Sequence, residues 1–148
     1  MIKKPEIIAH LNQVIDDKIH SIQLRYDDLN NDLTSDHKSS AGDKHETGRA
    51  MTQLEQEKLA GQLNQLQLQK ETLAKIELKV NENIQFGSLI KASNGLFFIS
   101  IGLGKIDIND FSVFCISSSS PIGQLLIGKK CNDEIQFNEN KILILELL

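Results

Sequence analysis

The stretch that decides the fold reads Ala41-Gly42-Asp43-Lys44-His45-Glu46-Thr47-Gly48-Arg49. It is polar, it contains two glycines, and it separates two long segments whose apolar residues recur at helical spacing. We therefore expect it to form the turn of a helical hairpin. The carboxylates of Asp43 and Glu46 would then lie at the tip of that hairpin.

The segment before this stretch has apolar residues on a repeat of seven, which indicates a coiled-coil seam. The members of the seam are Ile8, Ile15, Ile22 and Leu29, with Leu11, Ile19, Tyr26 and Leu33 three or four positions further on. Lys18 and Arg25 fall where a strict heptad would place an apolar residue, so their charged ends would have to extend to solvent. The pattern fades at Thr34-Ser35-Asp36, where residues that favour turns follow one another.

The second arm resumes the pattern with Met51, Leu54, Leu59, Leu63, Leu66, Leu73 and Ile76. We expect Leu59, Leu63 and Leu66 to pack against the first arm. With about 30 residues per arm and a rise of about 1.5 Å per residue, the hairpin would be about 45 Å long. The repeat alone is equally typical of a dimerising coiled coil.

Asp43 and Glu46 are three positions apart, which places both side chains on one side of a helix start. Two carboxylates so placed can share a Mg²⁺ ion. They can also cap the helix, with Asp43 accepting from the backbone N–H of residue 46 and Glu46 reaching back. The spacing leaves both interpretations open, and the two are compatible. Lys44, His45 and Arg49 could neutralise the acids or contact the phosphates of a bound strand.

Composition narrows the class of protein. The chain has 148 residues and a formal net charge of -4, shared evenly by the two halves, which excludes a nucleic-acid binder that depends on bulk positive charge. Cys115 and Cys131 lack the paired spacing of a zinc site, and a disulfide between them stays open. Because no apolar signal core follows Met1 and no segment is long enough to span a membrane, we expect a soluble, cytoplasmic protein.

The second half of the chain changes to short apolar runs broken by Asn, Gly and Ser. Runs at 84–86, 88–91, 96–102, 111–116, 134–137 and 142–147 predict the strands of a small antiparallel sheet. One short helix interrupts them, with Ser120 as N-cap, Pro121 at its first position, and Gly128 at its end. Ile122, Leu125 and Leu126 would form its inward face.

Two motifs resemble the bacterial Gre transcript-cleavage factors. The first is Ser119-Ser120-Pro121-Ile122-Gly123-Gln124-Leu125-Leu126-Ile127-Gly128-Lys129-Lys130, which is followed by Asn132-Asp133-Glu134 and resembles the C-terminal signature of that family; Phe86-Gly87-Ser88 does so too. The second is Gly42-Asp43-Lys44-His45-Glu46, which is similar to the family's Gly-Asp-x-x-Glu. The resemblance implies an α+β chain. Residues 1–78 would form an antiparallel coiled-coil hairpin with an acidic tip at 41–49, and 79–148 a small FKBP-like antiparallel sheet domain with one short helix.

The resemblance also implies a function. The hairpin would enter the secondary channel of RNA polymerase, and Asp43 and Glu46 would be the catalytic pair that helps to hold a second Mg²⁺ near the 3′ end of the nascent RNA. The reaction would be hydrolysis of a phosphodiester in a backtracked transcript. It would be performed by the polymerase, so the factor would be no enzyme by itself and would meet DNA only indirectly. Contacts with the polymerase rim are expected from Ser120, Pro121, Gly128 and Lys129.

This chain departs from the family pattern beside the acids. Thr47-Gly48-Arg49-Ala50 stands where the family usually has Asn-Ala-Glu-Tyr, so an acid becomes Arg49 and an aromatic residue is lost. One alternative is therefore a polymerase binder that inhibits or competes without cleavage. Another is a coiled-coil adaptor without chemistry. A peptidyl-prolyl isomerase is disfavoured, because the second half contains neither Trp nor Tyr to line a pocket.

Overall fold

The computed structural model describes residues 1–36 and 43–148, with side chains for 1–33 and 47–148. These residues divide into two compact units. The hairpin unit is Gln13–Lys70, and the sheet unit combines Met1–Asn12 with Glu71–Leu148. The predicted division after residue 78 falls inside the sheet unit, which includes the first residues of one long helix and the last residues of the other.

The hairpin unit is built from two long helices, α1 (Lys4–Asp36) and α2 (Asp43–Ala74). Lys70 pairs with Asp16 at 2.5 Å, and Arg25 pairs with Glu55 at 3.1 Å. The later residue of α1 pairs with the earlier residue of α2, so the helices run in opposite directions. The predicted antiparallel hairpin is confirmed.

The seam of the hairpin follows the predicted repeat at Ile15 and from Leu59 to Leu66. Ile15, Leu59 and Leu66 are buried, and Leu63 is half-buried. Lys18 and Arg25 are exposed, so α1 turns these cations to solvent. A seven-residue repeat anchored on Leu59 and Leu66 explains which residues of α2 face α1.

Nearer the turn the prediction for α2 is wrong. Met51 and Leu54 were expected in the seam, but they are 66% and 64% exposed. Continuing the repeat backwards from Leu59 puts Thr52 and Gln56 at the inner positions, and both are partly buried. The seam of α2 is therefore polar in this region, because the helical period determines which residues face inward even where apolar residues lie beside them.

The sheet unit contains six strands and one short helix. They are β1 (Leu89–Ala92), β2 (Gly95–Ile99), β3 (Gly104–Ile108), β4 (Phe111–Ile116), α3 (Pro121–Leu126), β5 (Glu134–Phe137) and β6 (Asn140–Leu147). Their order across the sheet is β3-β4-β2-β1-β6-β5. The predicted fold class, a helical hairpin followed by a small sheet with one short helix, is confirmed.

The sheet is mixed, although an antiparallel sheet was expected. Four of its pairs are antiparallel, and β2 pairs with β4 in parallel, with Phe98 opposite Cys115. After β2 the chain builds β3 at the edge and then returns through β4 into the place next to β2. Since β3 serves as the connection between two strands of the same direction, the pairing is parallel. The sequence prediction did not include β3, and the run at 84–86 forms no strand.

Both faces of the sheet are buried. One face packs with α3 around a core that includes Ile90, Phe97, Ile99, Leu126 and Ile144. On the alternate positions, Leu89, Phe98, Val113 and Cys115 are equally buried.

Burial raises the pKa of the Cys115 thiol to about 12. Cys115 and Cys131 are both free, so the open question of a disulfide is answered. Within the described residues, neither long helix nor α3 is apolar enough over sufficient length to cross a membrane.

Candidate functional site

The start of α3 is fixed by Ser120. Its backbone is extended, with φ -66° and ψ 158°, and its Oγ accepts a hydrogen bond from the backbone N–H of Gly123 at 3.1 Å. The same hydroxyl donates to the carbonyl oxygen of Ser117 at 2.8 Å. Pro121 follows at the first helical position, where its missing N–H has no helical partner to lose. The predicted N-cap is confirmed.

Gly123 is required by the same turn. A Cβ at this position would lie 2.1 Å from the carbonyl oxygen of Ser117 and 2.8 Å from the Oγ of Ser120. Any larger residue would separate the Ser120 hydroxyl from the N–H of residue 123. The glycine therefore permits Ser117 and Ser120 to lie close to the helix. The sequence reasoning did not single out Gly123. The sequence feature that could have identified it is a glycine in the first turn of a helix, where glycine destabilises the fold through its conformational entropy unless a close contact requires it.

The end of α3 is tied to the segment before the sheet. Gly128 has φ +85°, a conformation that favours glycine, and its N–H donates to the carbonyl of Ile84 at 2.8 Å. The N–H of Ile84 donates in return to the carbonyl of Lys129 at 2.7 Å. Gly128, which was predicted as a partner contact, therefore has a structural role in this turn.

α3 and the turn after it expose apolar and basic side chains. Leu125 and Ile127 are 39% and 38% exposed, and Pro121 and Lys129 are exposed as well. We call these four residues, with Gln124, the α3 surface. It borders a hollow of about 330 Å³ shared with Glu134 and Gln136 of β5. Such a mixture of apolar and basic groups suits contact with a protein partner.

The four residues predicted as rim contacts differ in their exposure to solvent. Pro121, Gly128 and Lys129 are exposed, while Ser120 is half-buried and occupied as a cap. Leu125 was expected on the inward face and lies outward instead. In a helix of only six residues, Leu126 takes the fully buried position and Ile122 the half-buried one.

The acidic pair lies at the start of α2. Asp43 and Glu46 are the first and fourth residues of that helix, so their spacing falls within its first turn. The side chains of Asp43, Lys44, His45 and Glu46 lie outside the described part of the chain. The metal pair, the helix cap and the tip contacts assigned to them stay predictions. Arg49 is half-buried in the second turn.

A second hollow lies on the core face of the sheet, beside α3. It measures about 270 Å³ and includes Phe97, Phe114 and Phe137, with Asn94 and Asn140 among its polar residues. The rings of Phe97 and Phe114 are stacked, with centroids 5.3 Å apart. In the described part of the chain, no group of three or more His, Cys, Asp or Glu side chains is placed to hold a metal ion.

The fold defined here is a helical hairpin joined to a small mixed sheet with one capped helix. No protein-family model and no curated protein matches the chain. Among solved structures, it is similar to the GreA factor homolog 1 (Gfh1) of Thermus thermophilus, with 16% identity over 92% of this chain and 93% of that one and a TM-score of 0.36. It is also similar to a structure of the transcription factor Gfh1 (16% identity, 91% of each chain, TM-score 0.35) and to Thermus aquaticus Gfh1 (13%, 92% of each, 0.35).

Proposed function

We propose that this protein is an RNA polymerase secondary-channel factor that stimulates cleavage of backtracked transcripts. The observation that carries the proposal is the position of Asp43 and Glu46, in the first turn of the second helix of an antiparallel hairpin. The helices have 33 and 32 residues, and their parts within the hairpin unit, 13–36 and 43–70, correspond to about 36 to 42 Å of helix. A rod of this length with acids at its tip suits a narrow channel.

The helical backbone at residues 43–46 fits the proposed magnesium ligands. Residues three apart in a helix share a face, and carboxylate oxygens are the ligands that Mg²⁺ prefers. Asp43 and Glu46 would each give an oxygen to an ion that the polymerase holds from its own side. When bound, that ion would stabilise charge on the phosphodiester and activate water. The polymerase would perform the reaction, so this chain is proposed as an accessory factor without enzymatic activity of its own.

The α3 surface is the proposed anchor outside the channel. Leu125 and Ile127 offer apolar area, and Lys129 offers a positive charge at its margin. Pro121 lies at the start of the same helix and is exposed. The capped and tied backbone around them would hold this surface rigid, which lowers the entropy lost on binding.

The test uses purified polymerase complexes stalled in a backtracked state. Asp43→Asn and Glu46→Gln keep the shape of each side chain and remove its charge. Each variant should still compete for the polymerase and should fail to shorten the transcript. Asp28→Asn and Glu57→Gln make the same changes at exposed positions of α1 and α2 and should cleave like the wild type. Cleavage by the acid variants at wild-type rates would refute the assignment.

Arg49 favours a second candidate function, a polymerase binder that inhibits or competes. It stands six residues after Asp43, where the resembling family has an acid, and it is half-buried in α2. In that case the wild type would bind polymerase without cleavage, and Arg49→Glu would introduce or raise cleavage. Failure to bind polymerase at all would leave the adaptor hypothesis and exclude both channel functions.

A further inference from the structure

A cavity of about 440 Å³ lies in the sheet unit, apart from the α3 surface. Its lining consists of Met1, Ile2, Lys3, Lys4, Pro5, Leu78, Leu89 and Leu148. Six of these eight residues are apolar, and none has an acidic side chain. The volume falls in the range of about 300 to 1,000 Å³ that is typical of pockets for small organic ligands. The cavity shares no residue with the α3 surface or with the acidic tip.

The charge of this cavity is positive and partly buried. Lys4 is only 5% exposed, and its ammonium donates to the carbonyl oxygen of Lys79 at 2.6 Å. An ammonium group has three N–H bonds, so two of them stay available. No carboxylate among the described side chains lies within ion-pair distance of Lys4. The nearby Glu77 pairs with the ammonium of Lys79 instead, at 2.7 Å.

A buried cation of this kind is unfavourable until an anion compensates it. Burial lowers the pKa of Lys4, which is the expected response of an ammonium group removed from water. Neutral apolar ligands would fill the cavity and leave the charge uncompensated. A ligand with an apolar chain and an anionic end would satisfy both properties of the lining.

We propose that this cavity binds an aliphatic carboxylate of the fatty-acid type. The chain of the ligand would contact Leu78 and Leu89, and its carboxylate would accept a hydrogen bond from the ammonium of Lys4. Lys3 also lines the cavity and would add to the attraction. The proposal is independent of the proposed role at RNA polymerase.

The experiment titrates the full chain with dodecanoate and with dodecanol, both below the concentrations at which they aggregate, and follows binding by calorimetry. Wild type and Lys4→Met are compared with Lys105→Met, the same substitution at an exposed position of β3. Dodecanoate should bind wild type and Lys105→Met equally, and Lys4→Met at least tenfold more weakly. Dodecanol should bind all three weakly and alike.

Three results would overturn the proposal. They are no binding of dodecanoate to the wild type, equal binding of dodecanoate and dodecanol, and unchanged affinity in Lys4→Met. If Lys4→Met does not fold, amide chemical shifts of the wild type decide, because dodecanoate should perturb Lys3, Lys4 and Leu89 and leave Lys105 unchanged. A wild type that is dimeric by ultracentrifugation and does not bind dodecanoate would show that a second copy covers the cavity, and the proposal would fail.

Discussion

Gly123→Ala tests whether the turn before α3 depends on a missing side chain. The added methyl group would lie 2.1 Å from the carbonyl oxygen of Ser117, a backbone atom that cannot move alone. Forcing extra volume into a packed site costs about 1 to 3 kcal/mol. Separating Ser120 from the N–H of residue 123 removes an N-cap, which costs about 1 kcal/mol more. We therefore expect the free energy of unfolding to fall by about 2 to 4 kcal/mol.

Urea denaturation measures this change, provided that the slope of the transition stays as in the wild type. Gly102→Ala is the matched control, because a Cβ at Gly102 meets no atom within 4 Å, and it should stay within about 0.5 kcal/mol of wild type. Ser120→Ala should lose about 1 kcal/mol. The double variant with Gly123→Ala should lose less than the sum, since both changes remove the same hydrogen bond. A Gly123→Ala protein as stable as the wild type would refute the reasoning.

Three other predictions concern stability and reactivity. Gly61→Ala should raise the free energy of unfolding by about 0.5 to 1 kcal/mol in urea, because Gly61 is inside α2 and an added Cβ meets no atom within 4 Å; a decrease would contradict this. A disulfide reagent should modify the exposed Cys131 quickly and the buried Cys115 only on unfolding, so two fast thiols would contradict the fold. The folded pKa of Lys4 lies below its ordinary value of 10.5, so the unfolded state binds more protons between these two values and stability should rise with pH there. The free energy of unfolding of the wild type relative to Lys4→Met should increase over that pH range. A decrease would contradict the lowered pKa of Lys4.

Some features of the fold are accessible from sequence because one local cause determines them. Ser120 and Pro121 specify the start of α3, and Leu59 and Leu66 specify the inner face of α2. Each of these assignments depends on residues within one or two helical turns. The structure agrees with the sequence at these positions.

Other features depend on which side of a helix faces its neighbour and on close approaches in space, which a single sequence does not display. Met51 and Leu54 look like seam residues, yet the helical period fixed by Leu59 and Leu66 turns them outward. The exclusion of a Cβ at Gly123 depends on a carbonyl oxygen six residues earlier, at Ser117. For the candidate site, the acidic pair is a prediction from sequence, while the exposed part of the α3 surface required the fold.

The mixed sheet is also a feature that local sequence does not display. Nothing local in β4 reveals that it pairs in parallel with β2, because the direction of that pairing is fixed by where β3 lies. The strand β3 alternates polar and apolar residues at an edge, with Lys105 and Asp107 exposed, and its apolar content is low. Edge strands commonly have such charges, which discourage pairing with other chains.

The strand order has a consequence for synthesis on the ribosome. β6 lies between β1 and β5 in the sheet, and its pairing joins Ile90 to Leu147. While the chain emerges, β1 to β4 can form a partial sheet, but the edge of β1 stays open until residues 140–147 leave the exit tunnel. Pairing between such distant segments is slow and exposes strand edges to other nascent chains. We expect this protein to complete its sheet only after translation of β6 and to benefit from chaperones that hold nascent chains until then.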